Sequence, residues 1–295
     1  MTLEQLRIFI AVAEREHLTR AAEALRLTPS AVSSAIRALE DRYGTMLFNR
    51  IGRRIEVTDA GRIFLEEARA VLARAHAAEL ALAELGGMKR GSLRIHASQT
   101  IASYWLPPYL ARFHAAYPAV AVSLTVGNTQ SVALATVEGD ADIGFVEGEV
   151  DDPALSARPV AGDHLIAIVS ASHPWADGRA LELRDIAEAD WIMREPGSGT
   201  RSAFENAVRA QGLDPSALKI ALELPSNEAV LSAVQSGTYA AVLSELAAAP
   251  HLATGRLVKA NLRPPQRRFL LLSHKERYRS RAFHSLVEML PRENP

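Results

Sequence analysis

Apolar residues in the first part of the chain fall at helical spacing, and the breaks between them carry turn chemistry. Leu3, Leu6, Phe9, Ile10, Val12 and Ala13 form one face, which predicts an amphipathic opening helix packed beneath the next two helices. Ala21, Ala22 and Leu25 give a second stripe, broken at Arg26-Leu27. Thr28-Pro29 then restarts a helix. The Thr hydroxyl can cap it, and proline at the first helical position sacrifices no hydrogen bond. Val32, Ile36 and Leu39 recur at i, i+4 and i+7 and face inward, leaving Ser30, Ser33, Ser34 and Arg37 outside. Leu18 to Glu40 is therefore predicted to be a helix-turn-helix whose second helix suits a DNA groove. Taken alone, the window also fits an ordinary helical hairpin with a polar face.

The residues after it favour DNA. Leu47 and Phe48 are predicted core, Gly52 a hairpin tip, and Ile55 and Val57 an alternating strand. Arg50, Arg53 and Arg54 flank that tip, so the hairpin reads as a basic wing suited to phosphates or the minor groove. Arg20, at the start of the preceding helix, can reach a backbone phosphate. From Thr58, with Asp59 in the first turn, a long helix runs to about Leu85. Phe64, Ala68, Val71, Ala75, Ala78, Leu82 and Leu85 follow an unbroken 4-3 spacing, the pattern of a dimerising seam with small residues. Packing against the same chain is the alternative. Gly86-Gly87 and Lys89-Arg90-Gly91 read as a hinge.

Beyond Ser92 strands alternate with helices, which predicts βα units and largely parallel sheets. Strands are expected at Leu93–Ala97, Val120–Val126, Ala141–Val146, His164–Val169, Trp191–Met193, Lys219–Leu224, Tyr239–Leu243 and Arg268–Ser273. Helices are expected at Thr100–Ala116, Thr129–Glu138, after Gly199, from Ser226 and at Ser280–Leu290.

Composition narrows the function. The 295 residues carry a formal net charge of -1, so any nucleic-acid surface must be local, as the arginines between Arg26 and Arg54 suggest. The sequence has no Cys, which removes disulfides, thiolate metal sites and Cys nucleophiles. No apolar run approaches a membrane span, and Glu4, Arg7 and Glu14 interrupt the N-terminus as a signal peptide; a cytoplasmic location is expected. The His residues show no metal-ligand spacing, Ser170-Ala171-Ser172-His173 lacks a nucleophile elbow, and Gly197-Ser198-Gly199 is too short for a phosphate loop. No catalysis, metal or cofactor is expected.

The stretches LEQLRIFIAVAE, LTRAAEALRLTPSAVSSAIRALE, LFNR and TDAGRIFLEEA resemble the winged helix-turn-helix and linker helix of LysR-type transcriptional regulators, collinearly over residues 2–85. The resemblance implies a multidomain α+β and α/β chain: a DNA-binding domain over 1–57, a linker helix over 58–86 and a hinge over 87–91. An effector domain similar to type 2 periplasmic binding proteins would follow over 92–295, with one lobe at 92–161 and 269–295 and the other at 162–268. It also implies binding to an interrupted palindrome in double-stranded DNA, homodimers paired into tetramers, and contact with RNA polymerase. The family often has Gln after the Thr28 position and bulkier base readers near Ser34 and Ala35. Here stand Pro29, Ser34 and Ala35, so DNA shape and phosphate contacts should carry more of the recognition.

Strand-to-helix junctions at Ser98-Gln99-Thr100, Asn128-Thr129, Ser198-Gly199-Thr200-Arg201 and Ser226-Asn227 offer hydroxyls and helix N-termini. Any one alone reads as a helix cap. Two from each lobe suggest a shared pocket for a small anionic metabolite, with Arg201 as its fork. REPGSGTR resembles members of the family that govern cysteine biosynthesis or carbon dioxide fixation. The reading from another class is a solute-binding protein or enzyme with an incidental helical N-domain; the basic wing and the lack of a signal peptide count against it.

Overall fold

A computed structural model describes residues 1–51, 54–85, 91–262, 264 and 266–291, with backbone alone at 50, 51, 54, 80 and 83–85. The chain divides into two compact units, residues 1–86 with 138–140, and residues 87–137 with 141–295.

In the first unit α1 (Leu3–Arg15), α2 (Leu18–Leu25) and α3 (Pro29–Tyr43) precede strands β1 (Phe48–Ile51) and β2 (Arg54–Val57), then α4 (Asp59–Leu85). Thr28 caps α3 by accepting the Ala31 N–H at 3.2 Å, with Pro29 in its first turn. Arg26 ends α2 in the left-handed conformation, φ 56°, where the apolar period breaks. Phe9 is fully buried at the centre, its ring 5.4 Å from Phe48 and 4.8 Å from Phe64. Burial of such a ring stabilises the fold by ~1.5–3 kcal/mol. Gly61 lets α4 approach the wing: a Cβ there would stand 2.3 Å from the Leu47 carbonyl oxygen.

The α4 seam divides along its length. Ala68 is buried and Phe64 packs against the core of the same unit, whereas Val71 and Leu82 are 41% and 70% exposed. The first turns of the seam therefore serve their own chain. The tip at Gly52 and Arg53 and residues 87–90 of the expected hinge at 87–91 lie outside the described residues, while Gly91 begins a strand.

The second unit contains β3 (Gly91–Ser98), a π-turn (Ile101–Trp105), α5 (Pro107–Ala116), β4 (Val120–Gly127), α6 (Thr129–Glu138) and β5 (Ile143–Glu147). Next come β6 (Leu155–Ser170), α7 (Leu183–Glu188), β7 (Asp190–Arg194), α8 (Gly199–Ala210), β8 (Lys219–Leu224) and α9 (Asn227–Gln235). β9 (Ala240–Ser244), α10 (Glu245–Ala253), β10 (Leu257–Lys259), β11 (Gln266–His274) and α11 (Arg281–Met289) complete it. The helix expected from Thr100 to Ala116 is two pieces, because Pro107 and Pro108 supply no N–H to continue it.

Strand order is β4-β3-β5-β11-β6-β9-β7-β8, with β10 beside β6. β3 runs parallel to β4 and β5, and β7 parallel to β8 and β9, one set in each lobe. The largely parallel sheet expected from the sequence is corrected at its middle. β6 and β11 run antiparallel to each other, β11 also to β5 and β6 also to β9, since the chain crosses between lobes along one and returns along the other. β6 is 16 residues long, and its first half escapes the sequence pattern because Pro159 sits beside a register shift against β11. Alternation along it splits the core of the second lobe: Leu165, Ala167 and Val169 join Trp191 on one face, Ile166 and Ile168 join Ile192 on the other.

Candidate nucleic-acid interface and candidate effector cleft

On α3 the inward residues Val32, Ile36 and Leu39 are buried, and Thr28, Ser30, Ser34 and Arg37 are exposed, with Ser33 half-buried. Arg20 at the start of α2 is exposed as well. Arg37 Nη2 donates to the Ser33 hydroxyl at 3.3 Å, and the Thr28 and Ser30 hydroxyls lie 3.0 Å apart. Arg20, Arg26 and Arg37 form no ion pair with another described residue, so their charge is available to an outside anion. The strands carrying Arg50 and Arg54 pair as a hairpin, Phe48 opposite Val57 and Ile51 opposite Arg54. The side chains of Arg50 and Arg54, and all of Arg53, lie outside the described residues.

In the sequence Glu40 stands only as a charge opposing the arginines. In the fold it is 8% exposed, and one carboxylate oxygen accepts the N–H groups of Leu47 at 2.8 Å and Phe48 at 3.2 Å. Glu16 accepts the Val57 N–H at 3.3 Å. Two carboxylates thus tie the wing to the helices. A carboxylate accepting backbone N–H groups is worth more than a neutral partner.

In the second unit the polar junctions meet across the gap between lobes. Gln99 accepts the Asn227 N–H at 2.7 Å and donates to Glu228 at 2.6 Å, while Tyr104 donates to Glu228 at 3.1 Å. Asn227 Nδ2 donates to the Thr100 hydroxyl at 3.3 Å. Asn128 Nδ2 reaches Glu195 at 3.3 Å and the Pro196 carbonyl at 3.4 Å, and the Gln130 N–H reaches the Gly197 carbonyl at 3.3 Å. At Gly199 a Cβ would stand 2.3 Å from the Glu147 carbonyl oxygen, so this contact between lobes requires glycine. Burial, with the charge and hydrogen bond of Glu228, pushes the Tyr104 hydroxyl up to about 12.

Three guanidinium groups stand at these junctions. Arg267, missed in the sequence, is almost fully buried. Its Nε and Nη2 donate to Asp163 at 2.6 and 2.8 Å, its Nη1 donates to Thr200 at 2.8 Å, and Glu147 lies 3.8 Å away. Burial works against its charge, but Glu147 and Asp163 more than offset this and raise its pKa. Arg194, also missed, is 4% exposed; its Nε and Nη2 donate to Glu195 at 2.8 and 3.0 Å, and its Nη1 to Asn227 at 2.7 Å. Arg201 corrects an expectation. Its Nε donates to Glu205 at 2.7 Å, and its Nη1 donates to the Arg194 carbonyl at 3.1 Å and to Glu223, so it brings no free fork to the cleft. Glu195 adjoins Arg194 and Glu205 stands at i+4 to Arg201, whereas Glu223 and Asp163 lie 22 and 104 positions from their arginines, with Glu147 farther still, where no local spacing marks them.

The remaining expected residues divide by role. Thr129 donates to the Glu147 carbonyl at 2.9 Å, and Ser226 caps α9 by accepting the Ala229 N–H at 3.1 Å. Ser198 is buried at the start of α8 without a side-chain cap bond. Among the described residues the Ser98 hydroxyl, in a residue 2% exposed, finds no hydrogen-bond partner. A buried hydroxyl left unpaired costs ~1–3 kcal/mol, which a bound ligand would recover.

Comparison with known proteins follows the same division. Residues 3–62 match the family described as bacterial regulatory helix-turn-helix protein, lysR family, and residues 86–295 match the LysR substrate binding domain. The RuBisCO operon transcriptional regulator of Allochromatium vinosum is 34% identical over 274 residues, covering 92% of this chain and 89% of that protein. Full-length CbnR, solved in complex with its target DNA, matches with a TM-score of 0.66 at 23% identity over 98% of this chain and 99% of its own. The regulatory domain of Synechocystis PCC6803 CcmR, solved with 2-PG, matches with a TM-score of 0.62 at 27% identity, covering 68% of this chain and 95% of that one.

Proposed function

The chain belongs to the LysR family of bacterial helix-turn-helix transcriptional regulators, and on that premise we propose that a small anionic metabolite in the interlobe cleft controls how it binds promoter DNA. One observation carries the reading: junctions distant in sequence, Gln99-Thr100 with Asn227 and Asn128 with Glu195, converge across one cleft. They bring hydroxyls, amides and helix N-termini, the donors an anion needs, to one place. The ligand of CcmR, 2-PG, makes a small anion the first candidate, and the RuBisCO operon regulator among the relatives favours a target in carbon fixation.

The DNA-binding residues are Arg20, Thr28, Ser30, Ser33, Ser34 and Arg37, with Arg50, Arg53 and Arg54 of the wing. The exposed Val71 and Leu82 of α4 pair two subunits, which set two recognition helices on successive major-groove faces of an interrupted palindrome. Two dimers form the tetramer that meets RNA polymerase in the cytoplasm. Among the described residues no helix is long and apolar enough to cross a membrane. The protein acts by binding, not catalysis.

A ligand that fits the closed cleft better than the open one biases lobe closure and hence dimer geometry, by no more than its differential affinity. Calorimetry of the full chain against small anions, followed by gel shift on its own upstream region, tests this. Saturable anion binding that alters a salt-sensitive shift is expected. Binding of cations or neutral molecules only, or no shift, would overturn it.

A further inference from the structure

The cleft presents a paradox for an anion site, because each guanidinium at it already holds a protein carboxylate. The three pairs differ in what it takes to separate them. Asp163 and Glu147, around Arg267, have side chains only 2% and 3% exposed, on β6 and β5, so removing either strands a buried charge. Arg201 is shared between Glu205 on its own helix and Glu223 on β8. Glu195 is different: it follows β7 in the loop to α8, its side chain is 24% exposed, and Arg194 is its sequence neighbour. It can swing to water by its own rotamers without moving a strand.

We propose that Arg194 is the carboxylate-binding residue of the cleft and that Glu195 is an internal competitor which the ligand's carboxylate displaces. This rests on the anionic-effector reading and goes beyond it in naming the recognised group. The Glu195 carboxylate, received at 2.8 and 3.0 Å by the Nε and Nη2 edge of Arg194, shows that the fork accepts a planar carboxylate side-on through two oxygens. Exchange of one carboxylate for another keeps the charge around the buried guanidinium constant. It also has a mechanical consequence. Glu195 Oε1 accepts from Asn128 across the lobes, and that bridge is surrendered when Glu195 leaves. The second bridge, from Arg194 through Asn227 to Thr100, survives and stays attached to the occupied fork. Ligand binding thus gives up the Asn128–Glu195 contact across the lobes while the bridge to Thr100 stays tied to the occupied fork.

Full-length protein, wild type and Glu195→Gln, is titrated by calorimetry with glycolate as a carboxylate alone, inorganic phosphate as a phosphate alone, and 2-PG. Removing the competitor raises the fraction of competent sites, so Glu195→Gln should bind glycolate and 2-PG about tenfold more tightly. Phosphate should gain little. Arg194→Lys keeps the charge but loses the fork, and should abolish the gain when combined with Glu195→Gln, with thermal unfolding and DNA binding confirming the fold. Unchanged or weaker carboxylate binding in Glu195→Gln overturns displacement. An equal gain for phosphate overturns the carboxylate assignment. Failure of every anion to bind any variant would instead sink the anionic-effector reading on which the proposal stands.

Discussion

The outer face of α3 and the interlobe cleft are both polar surfaces, built with opposite treatment of charge. On α3, Arg37 hydrogen-bonds the Ser33 hydroxyl, and among the described residues neither it nor Arg20 has an acidic partner. In the cleft Arg194, Arg201 and Arg267 all hold carboxylates. A surface that meets DNA gains from unpaired cations, because each phosphate contact releases counterions. A cleft that excludes water cannot leave a guanidinium bare, since burying an unpaired charge costs several kcal/mol. Its cations must therefore be neutralised from within until a ligand replaces one partner.

Substitutions at each surface should expose that contrast. The largest effect is expected at Arg267→Met, which leaves Asp163 and Glu147 buried without a counterion and should lower stability by ~3–5 kcal/mol in urea unfolding. Loss of under 1 kcal/mol would mean that the cleft tolerates bare charge as the DNA face does. Glu40→Ala removes the acceptor of two backbone N–H groups and should cost ~2–3 kcal/mol, with weaker DNA binding as the wing loosens. Arg37→Ala should do the reverse: unfolding stays within ~0.5 kcal/mol, while DNA affinity falls by ~1–3 kcal/mol with a shallower salt dependence. A destabilised Arg37 variant with unchanged DNA affinity would collapse the distinction.

The smallest effect concerns pH. Burial lowers the His173 pKa from 6.5, and its Nδ1 accepts the Trp175 N–H at 3.1 Å. The neutral ring is thus favoured in the fold, and its stabilisation, present above about 6.5, is lost as pH falls below that value. His173→Asn, which keeps an acceptor without titrating, should flatten the decline of the urea midpoint between pH 7 and 5. An identical slope in both proteins would remove His173 as its source.

Legibility follows the same line. The helix-turn-helix can be read because its determinants are local: a three-residue cap at Thr28 and apolar positions within two turns of each other. The cleft is legible only as polar junctions. Ser98, Thr100, Asn128 and Asn227 are visible as strand-end residues, but at those junctions Thr129 donates to the Glu147 carbonyl of its own lobe and Ser226 caps its own helix. Arg201 stands out as a fork because it ends the conspicuous REPGSGTR stretch. The structure turns it toward Glu205 and Glu223, and it is Arg194, at the start of the same stretch, that meets Asn227. β6 is half legible because a strand crossing between lobes changes neighbours midway and carries Pro159 in the first half.

The sequence by itself determined the helix-turn-helix with its Thr28 cap, the long α4, the βα alternation and the family, because these depend on periodicity and on contacts within a few residues. Tertiary structure alone decided the long-range polar partners. Gln99 and Asn227 are 128 positions apart and Asp163 and Arg267 are 104 apart, yet each pair is bonded. Chain topology sets such meetings, through the crossing strands β6 and β11 that bring the two lobes together. Arg194 holds its neighbour Glu195, but the charge of Arg267 depends on a carboxylate the fold delivers from 104 positions away, and nothing in its immediate neighbours records that.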